Sequence, residues 1–221
     1  MSAILSIKNV KKWFRNSHAL NGVSLTLNAG AEYVIRGASG SGKSTLLYLL
    51  GGLDRPTEGE IIVNGKNLAK MSDEDLAVYR NSYVGFVFQF HFLLPSMNCM
   101  DNILLPARLS GSNTELIKKE SLQLAKLLQV EHCLPKFPFE LSGGEQQRIN
   151  IMRALSMKPK LLLCDEPTGN LDSENSQKVI QLLRTLAKEF GATLVVVTHD
   201  PLIAENFREK IYMKDGILVT H

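Results

Sequence analysis

Two glycine-rich stretches carry the residue types best suited to hold a phosphate. Gly37-Ala38-Ser39-Gly40-Ser41-Gly42-Lys43-Ser44-Thr45 matches the phosphate-binding loop G-x-x-x-x-G-K-[ST] in full. Leu141-Ser142-Gly143-Gly144-Glu145-Gln146-Gln147-Arg148 is a second glycine turn that opens a helix. In each, backbone N–H groups and the helix dipole favour an anion. One nucleotide needs one such cradle. Two different cradles invite a head-to-tail pair, in which the second element of one copy closes the first of its partner.

Within the first loop, Gly37, Gly40 and Gly42 lack Cβ, which permits positive φ and close approach to phosphate. Lys43 is placed to reach the β- and γ-phosphates of a nucleotide, and Ser44 to offer its hydroxyl to Mg²⁺. Thr45 follows in the first helical turn, as a further phosphate donor. The elements that must position these residues are an apolar strand, Glu32-Tyr33-Val34-Ile35, and a helix beginning near Leu46-Leu47-Tyr48-Leu49-Leu50.

A second apolar run, Leu161-Leu162-Leu163-Cys164, ends in Asp165-Glu166-Pro167. An acid at the end of such a strand is suited to the Mg²⁺ shell, the role expected of Asp165. Glu166, one residue on, is expected on the other side of the extended chain, where it can polarise an attacking water. A third run, Thr193 to Thr198, delivers His199 to the same sheet edge, if the sheet is parallel. There His199 is a candidate γ-phosphate contact.

The order of the loop, Gln89, LSGGEQQR, Asp165-Glu166, Gly169-Asn170-Leu171-Asp172 and His199 resembles the ATP-binding cassette ATPases over essentially the whole chain. The resemblance implies a dimer that clamps two ATP molecules. Ser142, Gly143 and Gly144 would contact the partner-bound γ-phosphate, Gln89 would touch Mg²⁺ and sense a membrane subunit, and Asp172 would couple the two sites. It also implies an aromatic residue stacked on adenine near the N-terminus. Trp13 and Phe14 both stand there; counted from Val10, Phe14 fits the spacing better, and Trp13 reads as a packing residue.

Within that family, Phe86-Val87-Phe88-Gln89-Phe90-His91-Phe92-Leu93-Leu94-Pro95 and Glu166 to Asp172 look like the lipoprotein-releasing ATPases, whose pattern the macrolide-exporter and cell-division ATPases largely share. The implied setting is the cytoplasmic face of the inner membrane, beside integral membrane subunits that dock near Gln89 and a helical subdomain. Phe90, Phe92 and Leu93 read equally as core or as part of a groove for a partner helix. Two other classes stay open: a soluble cassette ATPase acting on ribosomes or DNA, and a docking module with little turnover.

Bulk properties bound the answer. A chain of 221 residues with 44% hydrophobic content suits one α/β domain. The expected architecture is a phosphate-binding-loop (RecA-like) core sheet with an antiparallel β subdomain and an inserted helical subdomain. The core and β subdomain are expected over about 1–88 and 158–221, the helical part over about 89–157. No apolar run approaches the roughly 20 residues of a spanning helix, and no secretory signal opens the chain. A net charge of +3 is too small to argue for nucleic acid, and no such partner is expected. Cys99, Cys133 and Cys164 show no metal-ligand spacing in sequence.

Strands are expected over 4–10, 22–27 and 60–66, the last entering an Asn-Gly turn, and helices over about 72–80, 114–129 and 173–190. Ser72 caps the first, Asp172 or Ser173 the last, which stops at Gly191. Residues 210–219 read as a closing hairpin with an Asp-Gly turn.

Overall fold

The computed structural model describes residues 2–15, 17–169 and 171–219. Strands β1 (Ala3–Phe14) and β2 (Ser17–Asn28) pair antiparallel, and β4 (Glu58–Val63) and β5 (Lys66–Asn67) extend them to a four-stranded sheet ordered β2-β1-β4-β5. Asn64 and Gly65 turn β4 into β5 at φ +49° and +75°, the left-handed pair that an Asn-Gly turn supplies.

The second sheet is ordered β10-β9-β3-β8-β7-β6. Strands β3 (Glu32–Arg36), β6 (Val84–Phe88), β7 (Leu161–Asp165), β8 (Thr193–Thr198) and β9 (Glu209–Lys214) run parallel, and β10 (Ile217–Val219) folds back on β9. Strand β6 is not among the strands expected from the sequence. It lies at the sheet edge, where it sets the exit direction of Gln89.

The helices are α1 (Lys43–Leu50), α2 (Asp73–Ser82), α3 (Cys99–Ser110), α4 (Thr114–Leu127), α5 (Gly143–Leu155), α6 (Ser173–Phe190) and the short α7 (Pro201–Ala204). Their ends carry the expected caps. Ser72 Oγ accepts from Asp75 N at 3.0 Å, and Asp172, rather than Ser173, accepts from Asn175 N at 2.9 Å. Gly191 ends α6 at φ +64°, a conformation that costs glycine little.

Why β7 and β8 are apolar at nearly every position follows from what covers them. Side chains alternate across a strand, and both faces of these strands are buried. Leu162, Cys164, Leu194, Val196 and Val34 join one apolar cluster with α3, α5, α6 and Ala125 of α4. Leu161, Leu163, Val195, Val197 and Ile35 join another, with α1 and the hairpin strands β1 and β2. Each fully buried leucine contributes about 1.5–3 kcal/mol to folding. The same alternation assigns Asp165, next in phase after Leu161 and Leu163, to the α1 face. Helices α3 to α5, which lie between β6 and β7 in the chain, share the first cluster with the sheet.

Candidate functional site

The loop between β3 and α1 shows two separate uses of glycine. Gly40 and Gly42 lie at φ +78° and +97°. Gly37 does not use the left-handed region, contrary to the sequence-based expectation. It must be glycine because a Cβ there would run into Met213 O of β9. Gly42 is doubly constrained, since its Cβ would also meet Ala19 O of β2. The P-loop is therefore braced by both sheets.

Lys43 begins α1 and folds back into its own loop, donating to Gly37 O at 2.9 Å and Ala38 O at 2.8 Å. Burial lowers its pKa, while the nearby Glu166 and Asp165 carboxylates act in the other direction. One turn of helix carries two hydroxyls to Asp165. Ser44 Oγ donates to Oδ1 at 2.9 Å and Tyr48 OH donates to Oδ2 at 2.8 Å. Both carboxylate oxygens are thereby oriented. Burial, then Asp165 itself, push the Tyr48 phenol up to about 12, so it remains a donor at neutral pH. The sequence reading used Tyr48 only as part of a helix. The signal available was its spacing, since residues four apart share a helix face.

Glu166 departs from the expected geometry. Its backbone is left-handed, φ +46°, so the strand ends at Asp165 and simple alternation does not set the Glu166 direction. Its N–H donates to Val197 O at 3.0 Å, and its Oε1 lies 2.8 Å from His199 Nδ1. A carboxylate only accepts, so Nδ1 carries the proton in this pair. The Glu166 side chain is 17% exposed and that of His199 68%.

Gln89 follows β6 and packs against Gly169, where a Cβ would collide with the Gln89 side-chain amide. Asn170 of the following Asn-Leu-Asp run lies outside the described residues. Asp172 caps α6, its carboxylate also accepting from Asn175 Nδ2 at 2.6 Å, and those bonds lower its pKa. Two Phe side chains beyond Gln89 are exposed: Phe90 by 64% and Phe92 by 63%. Leu93 instead packs on the first core cluster. The core alternative thus holds for Leu93 and fails for both phenylalanines. Arg153 fixes this loop by donating to His91 O and Phe92 O, each at 2.7 Å.

At the second glycine turn, Ser142 caps α5 and pairs reciprocally with Glu145, whose Oε2 accepts from Ser142 N at 2.8 Å and Ser142 Oγ at 2.6 Å. These bonds, joined by His132, hold the Glu145 carboxyl down to about 2. Gly143 has nothing within 4 Å of where a Cβ would stand, and Gly144 only the end of Arg148 at 3.9 Å. Neither lies in the left-handed region. Their own chain has no steric need for glycine at these positions. Buried Gln147 on α5 donates to Pro167 O at 2.9 Å, a link from this turn to the strand end that carries Glu166. Gln147 lies in the LSGGEQQR run, but that pattern does not predict this link.

At the N-terminal hairpin, Phe14 is 49% exposed beside Lys12 Nζ, 4.9 Å from its ring centroid. Trp13 packs edge-on against His18 at 5.4 Å. The cysteines Cys99, Cys133 and Cys164 are all buried and unpaired with one another. Tertiary folding does what the Cys spacing did not suggest: Cys133 meets His132 and Glu145, with one donor atom of each within 4.8 Å of the others.

A P-loop helix start, an acid clasped by the first helical turn, and a Glu–His pair on one parallel sheet edge define a P-loop NTPase nucleotide-binding cassette. A profile of the ABC transporter family matches residues 20–169, and the chain belongs to that family. The lipoprotein-releasing system ATP-binding protein LolD of Bdellovibrio bacteriovorus is 46% identical over 197 residues, 89% of this chain and 90% of that protein. Among solved structures, the dimeric bacterial ABC transporter cassette MJ0796 superposes with a TM-score of 0.89 at 38% identity, covering 98% of this chain and 97% of that one. A post-hydrolysis state of MJ0796 bound to ADP and Pi, also dimeric, gives 0.87 with the same identity and coverage.

Proposed function

We propose that this chain is the ATP-hydrolysing motor of a transporter that releases lipoproteins from the inner membrane, working as a head-to-tail pair on its cytoplasmic face. The observation that carries the catalytic reading is the set Lys43, Ser44, Asp165, Glu166 and His199 gathered at the ends of β3, β7 and β8. The name of the Bdellovibrio relative supports the lipoprotein assignment.

The residues fit a nucleotide with Mg²⁺. Gly40 has open space where a Cβ would stand, the buried Ser41 Oγ has no hydrogen-bond partner among the described residues, and the oxygen donors suit a hard cation. Bound Mg²⁺ would neutralise charge on the β- and γ-phosphates. Lys43 and the amides of Ala38, Ser39, Gly40, Ser41 and Gly42 hold those phosphates, and Thr45 adds a donor. Ser44, Gln89 and Asp165 hold the ion. Glu166 accepts a proton from the attacking water, and His199 keeps Glu166 oriented beside the γ-phosphate. Phe14 offers its exposed face to adenine. Positioning and electrostatics supply most of the rate.

The partner copy's Ser142, Gly143 and Gly144 complete the cage, and Asp172 meets the partner near the second site. Open space at Gly143 and Gly144 supports this, because glycine there serves something outside the chain. Membrane subunits dock near Gln89, Phe90 and Phe92, against a helical subdomain of about residues 89–157. The remaining segments, about 1–88 and 158–221, form the nucleotide core and β subdomain. No helix of the described residues is long and apolar enough to cross a membrane, so attachment through partners accounts for the location.

Glu166→Gln tests the motor. ATP binding should persist and phosphate release should all but stop, while sedimentation with ATP should show paired chains. Undiminished phosphate release would remove Glu166 from its role. A pull-down of this variant from membranes with Mg-ATP should bring down two related membrane proteins; soluble or ribosomal partners alone would overturn the transport reading.

A further inference from the structure

Glu145 faces two groups at once. Its Oε2 takes both Ser142 bonds, while its Oε1 lies 2.7 Å from His132 Nε2 and 3.4 Å from Cys133 Sγ. Cys133 Sγ is in turn 3.4 Å from His132 Nε2. A nitrogen, a sulfur and an oxygen therefore form a closed triangle, the one such group of three potential ligands among the described residues. In tetrahedral zinc, bonds of about 2.0–2.3 Å leave neighbouring donor atoms about 3.3–3.6 Å apart. Two edges of the triangle already match, and the third, 2.7 Å, needs to open by roughly 0.6–0.9 Å.

The fold holds this arrangement from two directions. His132 and Cys133 lie in the 3-10 turn Glu131–Cys133 that follows α4, with Cys133 buried in the first core cluster. Glu145 is set by the capping box of α5. The His132 side chain is 57% exposed and gives an ion a route from solvent.

We propose that His132, Cys133 and Glu145 form a zinc site, with water as the fourth ligand, that restrains the Ser142 turn when filled. Three mixed N, S and O ligands with one open position suit Zn²⁺, and a thiolate ligand disfavours Mg²⁺ and Ca²⁺. On binding, the Cys133 thiol releases its proton to solvent, the imidazole proton that His132 Nε2 directs at Glu145 Oε1 is replaced by one on Nδ1, and sulfur and Nε2 bond the metal; nothing is oxidised or reduced. Glu145 then bridges the ion and Ser142: Oε1 ligates, and Oε2 keeps the Ser142 hydroxyl. Ser142 Oγ has one proton, which Glu145 Oε2 already holds without the ion; zinc on Oε1 fixes Glu145 in place and so opposes the turning of that hydroxyl toward the partner's nucleotide. Zinc occupancy opposes pairing and turnover. This consequence rests on the role proposed for Ser142; the binding site does not.

The test is titration of the full chain with Co²⁺, following the thiolate-to-cobalt charge-transfer band, then displacement by Zn²⁺. The band should appear in the wild type and vanish in Cys133→Ala. In His132→Ala, affinity should fall by more than the roughly 10–100-fold that loss of an outer-shell partner costs. His132 is exposed, so that variant folds even if Cys133→Ala does not. No band, or a band indifferent to His132→Ala, overturns the site. With excess Mg-ATP, one equivalent of Zn²⁺ should slow phosphate release in the wild type and leave His132→Ala unaffected. Zinc that binds without slowing release overturns the restraint on Ser142. Failure of the ATPase reading would show separately, as no phosphate release from zinc-free protein.

Discussion

Glu166 and His199 stand 33 residues apart in sequence and are joined Oε1 to Nδ1 at 2.8 Å. The contact exists because β7 and β8 are parallel neighbours and both deliver their next residues at the same edge. Glu166 makes this contact from a left-handed backbone, φ +46°. Backbone in this region is uncommon for a glutamate, and such strain concentrates at functional sites.

The pair has a direct consequence for His199. If its main task is to orient Glu166, His199→Ala should lower phosphate release by about 10²–10⁴-fold, the range of a lost general-base contribution. ATP affinity should change little. Equal loss in nucleotide binding, measured by fluorescence titration, would show that His199 acts on the bound phosphate alone.

Gly42 and Gly143 should respond in opposite ways to the same substitution. Gly42→Ala puts a Cβ against Ala19 O at φ +97° and should destabilise the fold by more than about 1 kcal/mol in urea titration. Gly143→Ala meets open space at an ordinary φ, so stability should hold or rise by about 0.4–1 kcal/mol. ATP-driven pairing of the Glu166→Gln form should nonetheless be lost when Gly143→Ala is added. Equilibrium sedimentation with and without nucleotide reads this.

Tyr48→Phe keeps the ring that packs beside Phe88 and removes only the hydroxyl on Asp165 Oδ2. Stability should fall by about 1 kcal/mol, the net value of a typical hydrogen bond. The Mg²⁺ concentration for half-maximal phosphate release should rise several-fold, with turnover at saturating Mg²⁺ preserved. A fall in saturated turnover without a Mg²⁺ shift would mean that Tyr48 is not positioning Asp165 for the ion.

Glu145 predicts an acid limb in stability. Its folded pKa is depressed from 4.5 to about 2, so its contribution is present above about pH 4.5 and is lost as pH falls through about 2. Ser142→Ala removes the hydroxyl contact, the first of the causes. Thermal melts from pH 2 to pH 6 should show the variant weakened near neutral pH by about 1 kcal/mol, with a flatter decline toward acid. Parallel curves for wild type and variant would contradict the assignment.

Local chemistry carried much of this protein in its sequence. The phosphate loop, the Asn-Gly and Asp-Gly turns and the cap at Asp172 are each decided by residues within a few positions, so short patterns reveal them. The continuous apolar runs at β7 and β8 likewise announce strands buried on both faces. What no short pattern holds is the neighbour supplied by another segment. Gly37 is glycine because β9 passes beside it, not because its own φ is positive. Tyr48 became an Asp165 donor, and Cys133 met Glu145, only once distant segments packed together. Phe90 and Phe92 are exposed while Leu93 is partly buried on the core, in a loop where Arg153 holds Phe92 O and Phe88 packs on the Phe92 ring. Sequence determines conformations whose energy is local; tertiary structure decides contacts whose partners are fixed only by strand order and packing.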